Sequence, residues 1–202
     1  MARMEQAAGS GFIALLSRMR YIERWALMRN ARTESLSEHS LEVAMIAHLL
    51  AVIANVRYGA GIDASAAALM GVYHDAPEII TGDMPMPVKY HDESITAAYR
   101  SVEASAAASL MASLPEDLRG AYEGLLIAGE GEGRIARIVH AADKISALVK
   151  CIEERESGNT EFRSAERTIR ETIERLAEEL PEVGEFIEEF LPAYGSTLDE
   201  LL

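Results

Sequence analysis

The sequence predicts an all-α protein, and three observations carry that prediction. Ala, Leu, Glu and Arg dominate while β-branched residues seldom run together, a mixture that favours helix over strand. Apolar residues recur at three- and four-residue intervals along most of the chain. Helix-starting and helix-stopping residues (Ser, Asp, Gly, Pro) fall at the ends of these periodic stretches.

Taken in order, residues 11–29 place Phe12, Leu15, Leu16, Met19, Ile22, Trp25 and Leu27 at roughly helical spacing, so a first helix is expected there. A polar connection over 30–34 follows. Ser35-Leu36-Ser37-Glu38 is a capping box, with Ser35 as N-cap and Glu38 three residues in. It predicts a helix from 36 to about 55, ending before Gly59 and Gly61. On that helix His39, Val43, Ile46 and Leu50 share one stripe, so His39 points with the core and His48 away from it. Asp63 reads as the N-cap of a helix running to about 75, whose Ala64, Ala66, Ala67, Ala68 and Gly71 permit close packing. Pro77 should kink or restart that helix, and residues 81–92, rich in Pro and Gly, are expected to be a loop.

A long Ala- and Ser-rich helix is expected over 93–113, and Pro115-Glu116-Asp117 opens a shorter one. Residues 128–133 read as an acidic, Gly-rich loop, with the wrong charge and no lysine for a phosphate loop. Helical periodicity resumes over 134–156 through Ile135, Ile138, Val139, Ala142, Ile145, Val149 and Ile152. Asp143 lies inside that run with Val139, Ser146 and Ala147 on its face. A carboxylate there must be coordinated, or paired with Lys144, Lys150 or an arginine of another helix. His140, nearby, is either a supporting partner or polar surface. Residues 161–180 form an amphipathic helix, and Pro181 and Pro192 divide the remainder into two short helices, with 182–189 mainly a solvated face. With no internal repeat and no second core, residues 1–202 are expected to form one domain.

Composition removes several classes of function. A net charge of −14 argues against broad binding to a nucleic-acid polymer, which needs clustered Lys and Arg. A small anionic substrate remains compatible, because a metal ion and a few local arginines can overcome the global field. No uninterrupted apolar run of membrane-spanning length and no signal-peptide pattern is seen, so no membrane association and a cytoplasmic location are expected. The single cysteine, Cys151, cannot form an internal disulfide and reads as a small core residue or a near-surface thiol.

The chemistry concentrates at Gly71-Val72-Tyr73-His74-Asp75-Ala76-Pro77-Glu78, with Asp83 just beyond. An imidazole beside a carboxylate at a helix end, with Glu78 within a turn, suits a divalent transition metal. The dipeptide alone is weak, since His91-Asp92 repeats it in what reads as a loop, where Asp92 is placed to cap the helix from Glu93. Arg24-Trp25 is equally two-sided: a surface charge beside a core aromatic, or a planar cation for a phosphate beside a flat ring for a base.

The order of isolated His39, then His74-Asp75, then distant Asp143 resembles the HD phosphohydrolase superfamily. Five local stretches go further: Arg24-Trp25-Ala26-Leu27-Met28-Arg29-Asn30, Arg32-Thr33-Glu34, Ser37-Glu38-His39-Ser40-Leu41, His74-Asp75-Ala76-Pro77-Glu78 and Gly82-Asp83-Met84-Pro85-Met86-Pro87-Val88-Lys89. Together they resemble the bacterial 5'-deoxynucleotidases of the YfbR type, densely over residues 12–160. The resemblance implies an HD-domain helical bundle, a homodimer, and removal of phosphate from deoxyribonucleoside 5'-monophosphates. It implies that His39, His74, Asp75 and Asp143 hold one divalent ion (Co, Mn, Ni, Fe, Zn or Mg), with His39, Asp75 and Asp143 also lining the substrate site. Arg24 would orient the phosphate and Trp25 would disfavour a ribose 2'-hydroxyl. Glu78 matches a residue needed for turnover, and Asp83, Met84, Pro85 and Met86 match a loop that touches substrate. Met86 departs from the Thr usual in the family, which bears on substrate preference. Glu78 and Asp83 are both candidates for proton transfer, with Glu78 expected on the water side and Asp83 on the leaving-group side. Two other readings are weighed: an HD-type deoxynucleoside triphosphate hydrolase, which would need a larger basic pocket, and a non-catalytic nucleotide-binding module.

Overall fold

The computed structural model describes residues 9–89, 91–126 and 133–202, and helix dominates them. The acidic loop expected at 128–133 lies, apart from Gly133, outside the described residues. Helix α1 is Phe12–Leu16, prolonged by a 3-10 turn over Ser17–Tyr21. The helix expected over 11–29 therefore stops early. From Ile22 the backbone is extended, and β1, Glu23–Arg24, pairs antiparallel with β2, Glu34–Ser35, with Arg24 opposite Glu34. The Leu36 amide donates to the Ile22 carbonyl at 2.8 Å, closing the same loop. Pairing between segments ten residues apart leaves no trace in local apolar spacing, and Leu27, counted in that stripe, is exposed.

Helix α2, Leu36–Tyr58, starts at the expected capping box: the Ser35 hydroxyl accepts from the Glu38 amide, and the Glu38 carboxylate accepts from the Ser35 amide. It runs three residues past the expected end, to Gly59 in the left-handed conformation. By length and composition α2 could cross a bilayer, yet just over half of that apolar stretch is buried inside the fold. Helix α3, Ala64–Tyr73, is capped by Asp63, which accepts from the Ala66 amide. It packs on α2 so closely that a Cβ at Gly71 would lie 2.8 Å from the Ala44 Cα. That approach draws the end of α3, and with it His74, against the start of α2.

After a turn, Pro77 caps a short α4, Glu78–Thr81. The loop expected over 81–92 is interrupted by one helical turn, α5, Met86–Lys89, in which the Val88 and Lys89 amides donate to the Pro85 carbonyl. Helix α6, Glu93–Ala112, is capped by Asp92, so the second His-Asp pair is a helix start. A 3-10 turn, Glu116–Leu118, leads into α7, Arg119–Leu126. Helices α8, Arg134–Glu156, and α9, Arg163–Glu179, match the sequence expectation to within a few residues. Helix α10, Pro181–Glu189, a 3-10 turn at Leu191–Ala193 and α11, Leu198–Leu201, complete the chain.

The main core lies where α2, α3, α8, α9 and α10 meet, around Leu50, Ile138, Ile145, Leu148, Phe162 and Leu180. Each of these, fully buried, stabilises by about 1.5–3 kcal/mol. The seam between α2 and α8 can therefore carry the cost of the polar residues it also turns inward. A smaller cluster of Phe12, Ala76, Leu110, Leu114 and Leu126 joins α1, α6 and α7 behind the His74-Asp75 turn. The stretch 182–189 is not simply a solvated face. Glu182 is fully buried and accepts from Arg134 with both oxygens, at 2.8 and 2.9 Å, because a carboxylate inside the core needs a cation. Cys151 is buried, and desolvation pushes its thiol up to about 12.

Candidate metal centre

Three separated segments bring their polar side chains to one point. His39 comes from the first turn of α2, His74 and Asp75 from the turn after α3, and Asp143 from the middle of α8. One ligand atom from each lies within 4.8 Å of every other. His39 Nε2 is 3.2 Å from Asp143 Oδ1 and 3.5 Å from Asp75 Oδ2, and His74 Nε2 is 3.0 Å from Asp75 Oδ2. The two imidazole centres are 5.3 Å apart.

Both imidazoles have their other nitrogen committed. His74 Nδ1 donates to the Gly71 carbonyl at 2.8 Å. His39 Nδ1 meets the Ser146 hydroxyl at 3.0 Å, and that hydroxyl donates to Glu42 at 2.6 Å. The proton therefore sits on Nδ1 in each ring, and each Nε2 presents a lone pair to the cluster. Neither Nε2 has a hydrogen-bond partner, although both are buried. Orphaned, buried acceptor nitrogens facing two carboxylates are the donor set a divalent cation requires, so the residues fit a metal ion. The electrostatics agree. Burial works against ionisation of Asp75, yet His74 and His39 hold it far below the usual carboxylate range. Asp143 is held low against burial by Lys144 and His39. Burial opposes charge on His74, but Asp75 and Asp143 raise its pKa overall. Burial also pushes Glu42 upward, against its hydrogen bond from Ser146.

Arg24 stands beside this cluster. Its guanidinium is 3.7 Å from Glu34, its cross-strand partner, and 4.0 Å from Asp143. Burial works against its charge, but Glu34, Asp143, Asp75 and Asp83 together raise its pKa above the ordinary value. Two of its nitrogens, Nε and one terminal nitrogen, are buried without a hydrogen-bond partner. A fixed, underused fork of donors beside a metal-type cluster is suited to phosphate oxygens. Trp25 follows with φ of +59°, the left-handed region, which costs a bulky residue about 1–3 kcal/mol unless its surroundings fix it. They do: its amide donates to Asp83 Oδ2 at 3.1 Å, its indole nitrogen to Glu34 at 3.2 Å, and its ring lies 5.3 Å from Phe162. Glu78 is the remaining acidic group. Burial first, then Asp75 and Asp83, push its carboxyl up to about 10, and one of its oxygens is buried without a partner. Met84 and Pro85 are half-buried beyond Asp83, while Met86 opens α5 half-exposed. His48, His91 and His140 lie at the surface, outside the cluster.

With this geometry in view, comparison with known proteins is decisive. The 5'-deoxynucleotidase YfbR-like family matches residues 11–194. The chain belongs to the YfbR-like 5'-deoxynucleotidase family. Among its relatives is the 5'-deoxynucleotidase of Erwinia tasmaniensis, 44% identical over 192 residues, covering 95% of this chain and 96% of the relative. The 5'-deoxynucleotidase YfbR of Escherichia coli is 42% identical with the same coverage. Among solved structures, an HD-domain phosphohydrolase from Listeria innocua superposes with a TM-score of 0.81 at 25% identity, over 91% of this chain and 87% of its own. The fold is thus that of the HD-domain phosphohydrolases, and as a family member the chain is a metal-dependent hydrolase.

For this YfbR-like chain, sequence reasoning alone passed over the supporting groups. Ser146 stands in the sequence only as a same-face neighbour of Asp143, and Glu42 carries no mark in it at all. The capping-box pattern drew attention to Ser35 and Glu38, and Glu34 stood beside them unremarked except as part of a motif. The contacts of Glu34, Glu42 and Ser146 span 9 to 107 residues of chain, for which local pattern carries no signal.

Proposed function

We propose that the chain removes the 5'-phosphate from deoxyribonucleoside 5'-monophosphates, with His39, His74, Asp75 and Asp143 holding one divalent metal ion. The convergence of those four side chains beside a buried, underused Arg24 is the observation that carries this reading. A divalent ion there would polarise a phosphoryl oxygen, lower the pKa of water and pull the Glu78 carboxyl back down. Arg24 grips the remaining phosphate oxygens through two parallel N–H donors. Glu78 carries the proton on the water side, since its burial beside two other carboxylates makes its ionisation sensitive to whatever charge enters the site. Asp83 uses Oδ2 to hold the Trp25 amide, which leaves Oδ1 for the leaving 5'-oxygen. Trp25, fixed in its left-handed pose, closes the nucleoside side against a ribose 2'-hydroxyl, and Met84, Pro85 and Met86 flank the base. His39, Asp75 and Asp143 border the same space.

The cations nearest this cluster among the described residues are Arg24 and Lys144, with carboxylates more numerous around them. One phosphate suits that balance better than a triphosphate. Residues 1–202 are taken as one domain, working as a cytoplasmic homodimer. A phosphate-release panel tests the reading: deoxy- and ribonucleoside mono- and triphosphates, assayed after chelation and re-addition of Mn, Co, Mg or Zn. Phosphate from deoxynucleoside monophosphates, lost on chelation and regained with metal, is the expected result. Release of triphosphate or pyrophosphate, or equal rates on ribose and deoxyribose, would overturn it. A Glu78→Ala protein should still bind metal and nucleotide while losing most turnover; undiminished turnover removes Glu78 from the chemistry.

A further inference from the structure

A second buried polar cluster lies away from the metal ligands, under the loop that joins β1 to β2. Lys150 and Glu154 face each other one turn apart on α8, almost completely buried, at 4% and 1% exposure. Their hydrogen bonds go to the loop backbone. Glu154 accepts from the Ala31 amide at 2.8 Å and the Arg32 amide at 3.3 Å, while Lys150 donates to the Arg32 carbonyl. Asn159, just past α8, completes the set. Its side-chain amide donates to the Arg29 carbonyl at 2.7 Å and to Glu154 at 2.6 Å.

A buried ion pair is poor value as a stabiliser, because desolvation cancels most of the attraction and an apolar pair of similar volume does as well. What this cluster supplies is specification. It grips the backbone of Arg29, Ala31 and Arg32 in a loop whose ends are Arg24-Trp25 and Glu34. The grip reaches Trp25 by two routes. The Asn30 side chain, beside the held backbone, donates to the Trp25 carbonyl at 3.2 Å and the Met28 carbonyl at 2.9 Å. Phe162 lies between, its ring 5.6 Å from the Lys150 ammonium on one side and 5.3 Å from the Trp25 ring on the other. Trp25 is also the one non-glycine residue with positive φ among the described residues, a conformation that persists only where its neighbours over-determine it.

We propose that Lys150, Glu154 and Asn159 are positioning residues for substrate selection: together they set the pose of the 25–34 loop, and so of Trp25 against the sugar. The proposal rests on the function given above for Trp25 and adds the device that holds it. Because Trp25 is the only tryptophan, its emission reports this pose without any assay of turnover. The test uses the full chain with two variants, the double Lys150→Met, Glu154→Leu and the milder Asn159→Ala, which leaves the ion pair in place. In each, Trp25 emission shifts to longer wavelength and acrylamide quenching rises, while Mn affinity by calorimetry is unchanged. KM for a deoxynucleoside monophosphate rises and the deoxy-to-ribo ratio of kcat/KM falls, by about tenfold each in the double variant, with kcat preserved. If the double variant does not fold, Asn159→Ala decides. A folded variant with unaltered Trp25 emission and quenching would overturn the proposal. So would one that loses kcat and stability together at an unchanged deoxy-to-ribo ratio, since that is the signature of a merely structural role. Should the wild-type chain lack deoxynucleotidase activity, the function proposed above fails while the fluorescence measurement still decides whether the clamp sets the loop.

Discussion

His39 enters the metal centre with one nitrogen already spoken for. Its Nδ1–H is received by Ser146, whose hydroxyl passes the demand on to Glu42, and this fixes which nitrogen faces Asp75 and Asp143. Removing the hydroxyl frees the ring to turn or change tautomer. Ser146→Ala should therefore fold normally and bind Mn or Co about 10- to 100-fold more weakly, measured by calorimetry; equal affinity would show that Ser146 does not orient the ring. At His74 the contest is with protons. Burial disfavours its charge, but Asp75 and Asp143 win and raise its pKa. A metal needs the neutral ring, so protonation competes with it, and the competition begins at a higher pH than for a free imidazole. Metal affinity should begin to fall, as pH is lowered, above the ordinary value of about 6.5, with proton release on binding. Affinity that stays flat until well below it would contradict the assignment.

At the level of elements, the close crossing of α2 and α3 matters most. Gly71 lets the two helices approach to where a methyl group would meet the Ala44 backbone, and its carbonyl also anchors His74. Gly71→Ala should cost about 1–3 kcal/mol by overpacking, seen as a lower Tm, and should weaken metal binding as His74 is pushed off its position; a Tm equal to wild type would mean the helices separate freely. Much of this layer was legible beforehand. The capping box at Ser35, the Asp63 and Asp92 caps, and the His39-Val43-Ile46-Leu50 stripe all stand where spacing put them, because capping and amphipathicity are local physics. The cluster of the four candidate ligands was readable as well, but through motif order and not through any one residue. What was not legible depends on distant contacts. The β1–β2 pairing that ends α1, the buried Glu182, and the Lys150–Glu154 pair beneath the loop each exist only because another segment arrives.

Across the whole molecule, the buried charges link stability to pH. Burial alone would raise Glu154, but Lys150, the Ala31 and Arg32 amides and Asn159 hold it down at about 2, against an ordinary 4.5. A depressed pKa means that the charged form favours the fold: this contribution is full above the ordinary value and vanishes as pH falls through the lowered one. The Tm gap between wild type and Glu154→Gln should therefore be widest near neutrality and narrow as pH drops from 4.5 toward 2. A gap independent of pH would show that the substitution acts through packing and not through charge.

The placement of Asp143 has a further consequence, for synthesis. Helix α2 and the turn after α3 leave the ribosome early with three of the four candidate ligands, and the fourth follows only after α4 to α7 have been made. A nascent chain halted anywhere before α8 can hold two imidazoles and a carboxylate, but it lacks the second wall of the centre and most of its core. A chain cut short before α8 therefore lacks the fourth candidate ligand, and the segments that wall the centre from the other side arrive together with it.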